Sequence, residues 1–119
     1  MSGRPDVAFK IIDTADWAAA IPTSAYVGAP IDLADGYIHL STREQVGETV
    51  RRHFAGRSGL SLLTVDLTML GDTVVWEPSR GGDLFPHIYG VLPTKAVIAE
   101  RAFFVDEEGA MIFADGASV

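Results

Sequence analysis

The sequence predicts an α+β domain in which β-sheet forms most of the core. Many short apolar runs alternate as strands do, whereas the two patterns with helical spacing both lie in the N-terminal half. The chain of 119 residues is long enough to bury roughly two thirds of the surface that it exposes when unfolded. We therefore expect a small single domain over residues 1–119, with its core at about 8–114 and a frayed tail at 115–119.

The first strand is predicted at residues 7–13, where the run VAFKIID alternates as a strand does. A short helix, TADWAAAI, should follow, with Asp13 or Thr14 as its N-cap and Pro22 as its end. Residues 22–36 are rich in turn formers and predict a loop with room for one helical turn. Ordered loops of this length often carry function.

The next strand, YIHL at residues 37–40, leads directly into the clearest helix of the chain. Ser41 with Glu44, and Thr42 with Gln45, both match the spacing of a capping box, in which side chains satisfy free N–H groups of the first turn. The side that should pack on a sheet carries Val46, Val50, His53 and Phe54, and Gly56 supplies the stop. His53 is therefore interpreted as a packing residue.

The C-terminal half should consist of strands and turns. The runs at 60–70 and 73–78 predict a hairpin. A glycine-bearing loop at 79–93 should enter a short strand through Phe85 and Pro86, and a long strand at 95–106 should turn into a short one at 110–114. Together these strands supply most of the expected sheet.

Charge and composition limit the function. A formal net charge of −7 repels phosphate backbones at long range, so we do not expect general nucleic-acid binding or binding to an anionic membrane surface. A few well-placed donors still suffice for a small anionic ligand. The absence of cysteine excludes disulfides and thiolate chemistry, and the three histidines lack HxH or HExxH spacing, so no metal is expected.

The chain carries no membrane or export pattern. No apolar stretch approaches the length of about 20 residues that a membrane-spanning helix needs. The segment MSGRPDVAFK lacks the hydrophobic run of a signal peptide. We expect a soluble cytoplasmic protein that binds a small molecule; no pattern indicates an oligomeric state.

His39 is the first candidate for chemistry, because it interrupts an apolar strand. Ile38 and Leu40 should point to the opposite face, which leaves His39 beside Tyr37 and Ser41. One interpretation is a surface histidine next to helix-capping hydroxyls. The other is a ligand pocket where the strand meets the helix N-terminus at Ser41 and Thr42, since free N–H groups and the helix dipole converge there.

Glu77 and the aromatic residues after it form the second candidate. Glu77 follows a strand tryptophan and precedes a proline, and partial desolvation there would raise its pKa and suit it to acid/base work or to a ribose hydroxyl. The alternative is an exposed carboxylate paired with Arg80. His87 and Tyr89 share a strand face with Phe85, a pattern that also fits core packing.

Several segments together resemble one family. FKIID, YVGAPIDLADGYIHLSTREQV, HFAG, LLTVDL and WEPSRGGDLFPHIYG resemble the bacterial proteins known as domain of unknown function 952, over roughly residues 8–105. The signatures are DGYIHLST and FPHIYG. That family is similar in fold to ADP-ribosyltransferases, whose split pair of small antiparallel sheets encloses a cleft for nicotinamide adenine dinucleotide (NAD). The resemblance therefore implies split antiparallel sheets, two helices in the N-terminal half, and NAD as substrate.

The resemblance also implies residue roles. His39 of IHLST matches the histidine that binds a ribose of NAD, whereas Glu77, His87 and Tyr89 are candidates for the stacking residue and for the glutamate at the reacting ribose. In the branch that uses His, Tyr and Glu the residues come in that order, but here Glu77 precedes His87 and Tyr89. A carboxylate such as Glu77 would stabilise positive charge on the ribose, and Arg80 would contact the pyrophosphate.

Three functions fit these residues. One is an enzyme that transfers or hydrolyses ADP-ribose, the second is a nucleotide or small-molecule binding module without a reaction, and the third is a hydrolase with His39 or His87 as base beside Glu77. All three place the predicted catalytic residues His39, Glu77 and His87 around one cavity. The predicted ligand contacts are Ser41, Thr42, Arg80, Phe85 and Tyr89.

Overall fold

The alternating apolar runs form antiparallel strands in a computed structural model that describes residues 4–115. Of the tail predicted at 115–119, residues 116–119 lie outside this part. Within it the strands are β1 (Val7–Asp13), β2 (Ala25–Tyr26), β3 (Ile38–His39), β4 (Leu60–Asp66), β5 (Val74–Ser79), β6 (Asp83–Ile88), β7 (Leu92–Pro93), β8 (Val97–Val105) and β9 (Met111–Phe113). The α-helices are α1 (Thr14–Ala20), α2 (Pro30–Asp35) and α3 (Arg43–His53).

The strands divide into separate antiparallel sheets. The largest has the order β1-β4-β8-β9, a second has the order β3-β6-β5, and β2 pairs with β7. Backbone hydrogen bonds between Phe9 and Ser41 connect the first two sheets just after β3. The α+β class and the antiparallel sheets agree with the prediction.

Both faces of β1 are covered, which explains why its sequence is apolar at nearly every position. Ala8 and Ile12 belong to a core shared with Trp17 of α1 and the second sheet, whereas Phe9 and Ile11 face the core beneath α3. Lys10 shares the face of Ala8 and Ile12 and is buried as well. Burying a lysine requires a partner, which the site supplies.

Helix α3 begins as predicted but ends at His53, before the predicted stop at Gly56. The Thr42 hydroxyl accepts from the Gln45 N–H and the Gln45 side chain accepts from the Thr42 N–H, so this pair, and not Ser41 with Glu44, forms the capping box. Val46 and Val50 are buried. The interpretation of His53 as a packing residue is wrong, because His53 is the last helical residue and is exposed.

The first helix and its loop also depart from expectation. Helix α1 ends at Ala20, but Pro22 does not terminate the helical path, because it lies in the first turn of a 3-10 segment, Ile21–Thr23, where a missing N–H costs nothing. Asp13 occupies the N-cap position without a side-chain hydrogen bond to the helix. The helical turn expected within 22–36 is α2.

The hairpin predicted over residues 60–78 is wrong. Strands β4 and β5 belong to different sheets, and two 3-10 turns, Leu67–Met69 and Gly71–Thr73, separate them. Leu67 and Leu70 are apolar because they are buried in that turn region. The hairpin forms instead between β5 and β6, across a tight connection at Arg80–Gly82 in which Gly81 has a φ of 78°.

Across residues 4–115, the longest helices fall short of what a membrane crossing demands in length and apolar character.

Truncating the core should destabilise the protein in proportion to burial. Leu63 is 0% exposed, whereas Leu33 on α2 is 62% exposed. We expect Leu63→Ala to lower the free energy of unfolding by about 2–5 kcal/mol, because it leaves a cavity as well as losing apolar contact. Urea denaturation measures this, and Leu33→Ala is the matched control at less than about 1 kcal/mol. Equal losses in the two variants would contradict the described packing.

Candidate functional site

A cavity of about 650 Å³ lies between β1, α3 and the ends of β3 and β6. Its walls include Phe9, Lys10, Ile11, Ile31, Asp32, Asp35, His39, Leu40, Ser41, Thr49, Arg52, His53, Phe54, Arg57, Ser79, Phe85 and His87. The volume falls within the range that is usual for small-molecule sites. Apolar rings and charged groups therefore share one concave surface.

His39 and His87 are brought together by the pairing of β3 with β6. The two residues are directly opposite each other in the register, and their ring centroids are 5.4 Å apart. Tyr37 stacks on His87 at 4.1 Å and lies 4.7 Å from the His39 ring. The two histidines therefore lie close together in one cavity, as expected. Their catalytic roles stay predictions.

The carboxylate of Asp32 holds three segments of the chain together. Its oxygens accept from Lys10 Nζ at 2.9 and 3.2 Å, from the Ala29 N–H at 2.7 Å and from the His39 N–H at 3.1 Å. Burial by itself would raise the pKa of Asp32, but the hydrogen bond from His39 and the charge of Lys10 outweigh it and hold that pKa well below its usual range. Asp32 is therefore a buried anion.

The ring of His39 contacts a carboxylate at each nitrogen. Nδ1 lies 2.7 Å from Asp32 Oδ1, and Nε2 lies 2.9 Å from Asp35 Oδ2. Both ring nitrogens of His39 are therefore engaged by carboxylate oxygens. The side chain of Asp32 is 1% exposed and that of Asp35 is 42% exposed. The contact with Asp32 is therefore shielded from solvent, whereas the contact with Asp35 is open to it.

Glu77 holds His87 from the side away from the cavity. Its Oε1 lies 2.6 Å from His87 Nδ1 and accepts from the Tyr89 hydroxyl at 2.8 Å. These hydrogen bonds lower the pKa of Glu77, so the expectation of a raised pKa is wrong; the two donors outweigh the partial desolvation. The hydrogen bond from the Tyr89 hydroxyl to Glu77 raises the pKa of Tyr89 to about 12.

His87 has the geometry of a general base. Its Nδ1 donates to Glu77, which places the lone pair of the neutral ring on Nε2. None of the hydrogen bonds described within residues 4–115 reaches Nε2, and the ring is part of the cavity wall. A carboxylate that orients an imidazole in this way is the arrangement seen in acid/base catalysis.

The other predicted residues are placed unevenly. Ser41 and Phe85 line the cavity, although the Ser41 hydroxyl is buried and bonded to Thr49. Thr42 is not part of the cavity wall, because its hydroxyl caps α3. Glu77 and Tyr89 also lie outside the wall; Glu77 bonds to His87, and Tyr89 bonds to Glu77 and packs against Tyr37. The side chain of Arg80 lies outside what the structure describes.

Several groups at the site were not predicted from the sequence. Arg52 and Arg57 line the cavity, each in an exposed ion pair, Arg52 with Glu48 and Arg57 with Asp13. Their positions depend on where α3 and the following turn pack, for which the sequence has no local signal. Lys10 did carry one, since a charged residue on an otherwise apolar strand face calls for a buried partner.

A histidine-lined cavity on a split antiparallel α+β fold defines the structural class of this protein. The chain belongs to the family described as "Protein of unknown function (DUF952)", which matches residues 11–100. No curated protein matches the chain. In the part of the chain that is described, no group of three or more His, Asp or Glu side chains is arranged to hold a metal ion.

Solved structures of a related bacterial protein share this fold. Protein CC0527 from Caulobacter crescentus is 41% identical in sequence to this chain, and its crystal structure superposes with a TM-score of 0.84. The match covers 88% of this chain and 92% of that one. The solution NMR structure of CC0527 gives 40% identity and a TM-score of 0.78, covering 89% of this chain and 91% of that one.

Neutralising Asp32 should destabilise the fold. Asp32→Asn leaves the buried ammonium of Lys10 without a counter-charge, so we expect a loss of about 3–5 kcal/mol in the free energy of unfolding at pH 7. Denaturant titration measures it, with Asp72→Asn as a control at an exposed carboxylate.

The same variant should change the acid dependence of stability. Because the pKa of Asp32 is lower in the folded chain than its unfolded value of about 3.9, the carboxylate stabilises the fold above that pH and loses its effect as the pH falls further. The difference in the free energy of unfolding between the native protein and Asp32→Asn should therefore narrow below about pH 4. A gap that is constant with pH would contradict the ionised state of Asp32.

Proposed function

We propose that the cavity binds a nucleotide-type ligand of the NAD or ADP-ribose class and that the protein cleaves the nicotinamide–ribose bond. The observation that carries the proposal is the Glu77–His87 pair, in which Glu77 engages Nδ1 while the His87 residue forms part of the wall of a cavity of about 650 Å³. The predicted resemblance to ADP-ribosyltransferases supports the choice of ligand. The geometry supports the choice of base.

The lining of the cavity suits the parts of such a ligand. Arg52 and Arg57 provide guanidinium groups, which match the oxygens of a pyrophosphate, and their present partners are exposed carboxylates that release them at little cost. Phe9, Phe54 and Phe85 give apolar surface for a planar ring. The arginines take the role that was first expected of Arg80.

The reaction requires water and one base. The carbon–nitrogen bond of the nicotinamide riboside breaks, and its electron pair neutralises the positive charge of the leaving nicotinamide. The oxygen of water forms the new bond to the ribose carbon, and Nε2 of His87 takes the proton that this water loses. Glu77 stabilises the resulting imidazolium through Nδ1, because a carboxylate beside a charged ring lowers its energy.

This mechanism changes the role of Glu77 from the one that the resemblance implies. Glu77 does not line the cavity, so it orients His87 and does not contact the ribose. Asp35 is a half-exposed carboxylate on the cavity wall. His39, beside it on the same wall, orients the ligand.

Nicotinamide release tests the proposal. Purified protein incubated with NAD should release nicotinamide, followed by chromatography. His87→Gln should lower kcat by about 100-fold or more, since general-base catalysis typically contributes that much. Glu77→Gln should lower kcat by about tenfold or more while leaving KM nearly unchanged, because it acts through His87.

Glu108→Gln is the matched control, since Glu108 is an exposed carboxylate in the turn before β9. Calorimetry with ADP-ribose separates binding from reaction. Binding without release would leave a binding module and remove the enzyme. Release that is unaffected by either site variant would show that His87 is not the base.

A further inference from the structure

The two carboxylates on His39 are held in different ways. Asp32 is buried and fixed by several donors, whereas Asp35 is the last residue of α2, is 42% exposed and meets His39 across four positions of sequence. Exposed ion pairs contribute little stability, so Asp35 can leave Nε2 at low cost. The ring itself would stay in place through Nδ1 and Asp32.

The charges around the cavity favour an anion once Asp35 moves. Lys10 and Asp32 neutralise each other in a buried pair. Among the described lining residues this leaves the guanidinium groups of Arg52 and Arg57, whose partners Glu48 and Asp13 are exposed and lie outside the wall, and Asp35 as the remaining carboxylate, held by His39. The cavity thus offers two guanidinium groups with exposed, exchangeable partners on a chain whose formal net charge is −7.

We infer that Asp35 occupies the place of a phosphate group of the ligand. When the ligand binds, this phosphate displaces the Asp35 carboxylate from Nε2 of His39, and Arg52 and Arg57 complete the binding of the phosphate. The inference uses the cavity of the proposed function and adds to it the chemical group that His39 receives: an anion, and not a neutral ribose hydroxyl.

Charge and spacing both favour a diphosphate at this position. An anion can take over the contact that Asp35 makes with His39, and a diphosphate has oxygens left for a guanidinium group as well. The centroids of His39 and His87 are 5.4 Å apart, so a phosphate at His39 puts the sugar attached to it beside His87. A neutral hydroxyl at His39 would not replace the negative charge of Asp35.

Inorganic pyrophosphate is the probe for this inference. Calorimetry should give binding to the native protein, and binding about fivefold tighter to Asp35→Asn, because the variant removes a like charge and leaves only a weaker, neutral acceptor at position 35. Arg52→Gln should bind about fivefold more weakly. Asp72→Asn, at an exposed carboxylate of a 3-10 turn, should bind as the native protein does. Nitrogen NMR should show the His39 Nε2 resonance shifting on addition of pyrophosphate.

Thermal melting first establishes that each variant is folded. Unchanged or weaker pyrophosphate binding by Asp35→Asn would overturn the inference, as would an absence of pyrophosphate binding in both proteins. A His39 signal that responds to ribose and not to pyrophosphate would overturn the choice of an anion. If Asp35→Asn binds pyrophosphate more tightly but the native protein releases no nicotinamide from NAD, the proposed reaction is contradicted and the anion site is retained.

Discussion

The buried carboxylate of Asp32 is the contact on which the geometry of the cavity depends. It draws Lys10 of β1, the backbone of the loop at Ala29 and both the backbone and the ring of His39 to one point. A buried charge is tolerated only when its hydrogen-bonding capacity is filled, so these segments are not free to move independently. The loop closes on Asp32 at Gly28, whose φ is +122° and where a Cβ would lie 2.9 Å from the Asp32 Cβ.

The two histidines are fixed by different forces, and this gives them different chemistry. His39 contacts a carboxylate at each nitrogen, so both ring nitrogens are already engaged and the position of the ring is fixed. His87 contacts one carboxylate, at Nδ1, and no hydrogen bond described within residues 4–115 reaches its Nε2, as the proposed proton transfer requires. The register between β3 and β6 sets their proximity, and a slip of one residue would move one ring to the opposite face.

Local patterns were sufficient wherever the determining contacts are local. The apolar run at residues 7–13 located β1, and the spacing of Thr42 and Gln45 located the start of α3. The failed hairpin at 60–78 has the opposite origin, because which strands pair depends on contacts that are distant along the chain. Leu67 and Leu70 are apolar because a buried turn needs them, and alternation alone does not distinguish such a turn from a strand.

At the site, the two histidine signatures allowed His39 and His87 to be placed in one cavity before the fold was known. The partner of Lys10 was not predictable, because Asp32 follows 22 positions later in a loop whose closure no local pattern specifies. The pKa of Glu77 was expected to rise because only its tryptophan neighbour was visible in sequence. Its actual donors, His87 and Tyr89, come from the strand β6 and the residue just after it, and they reverse the direction.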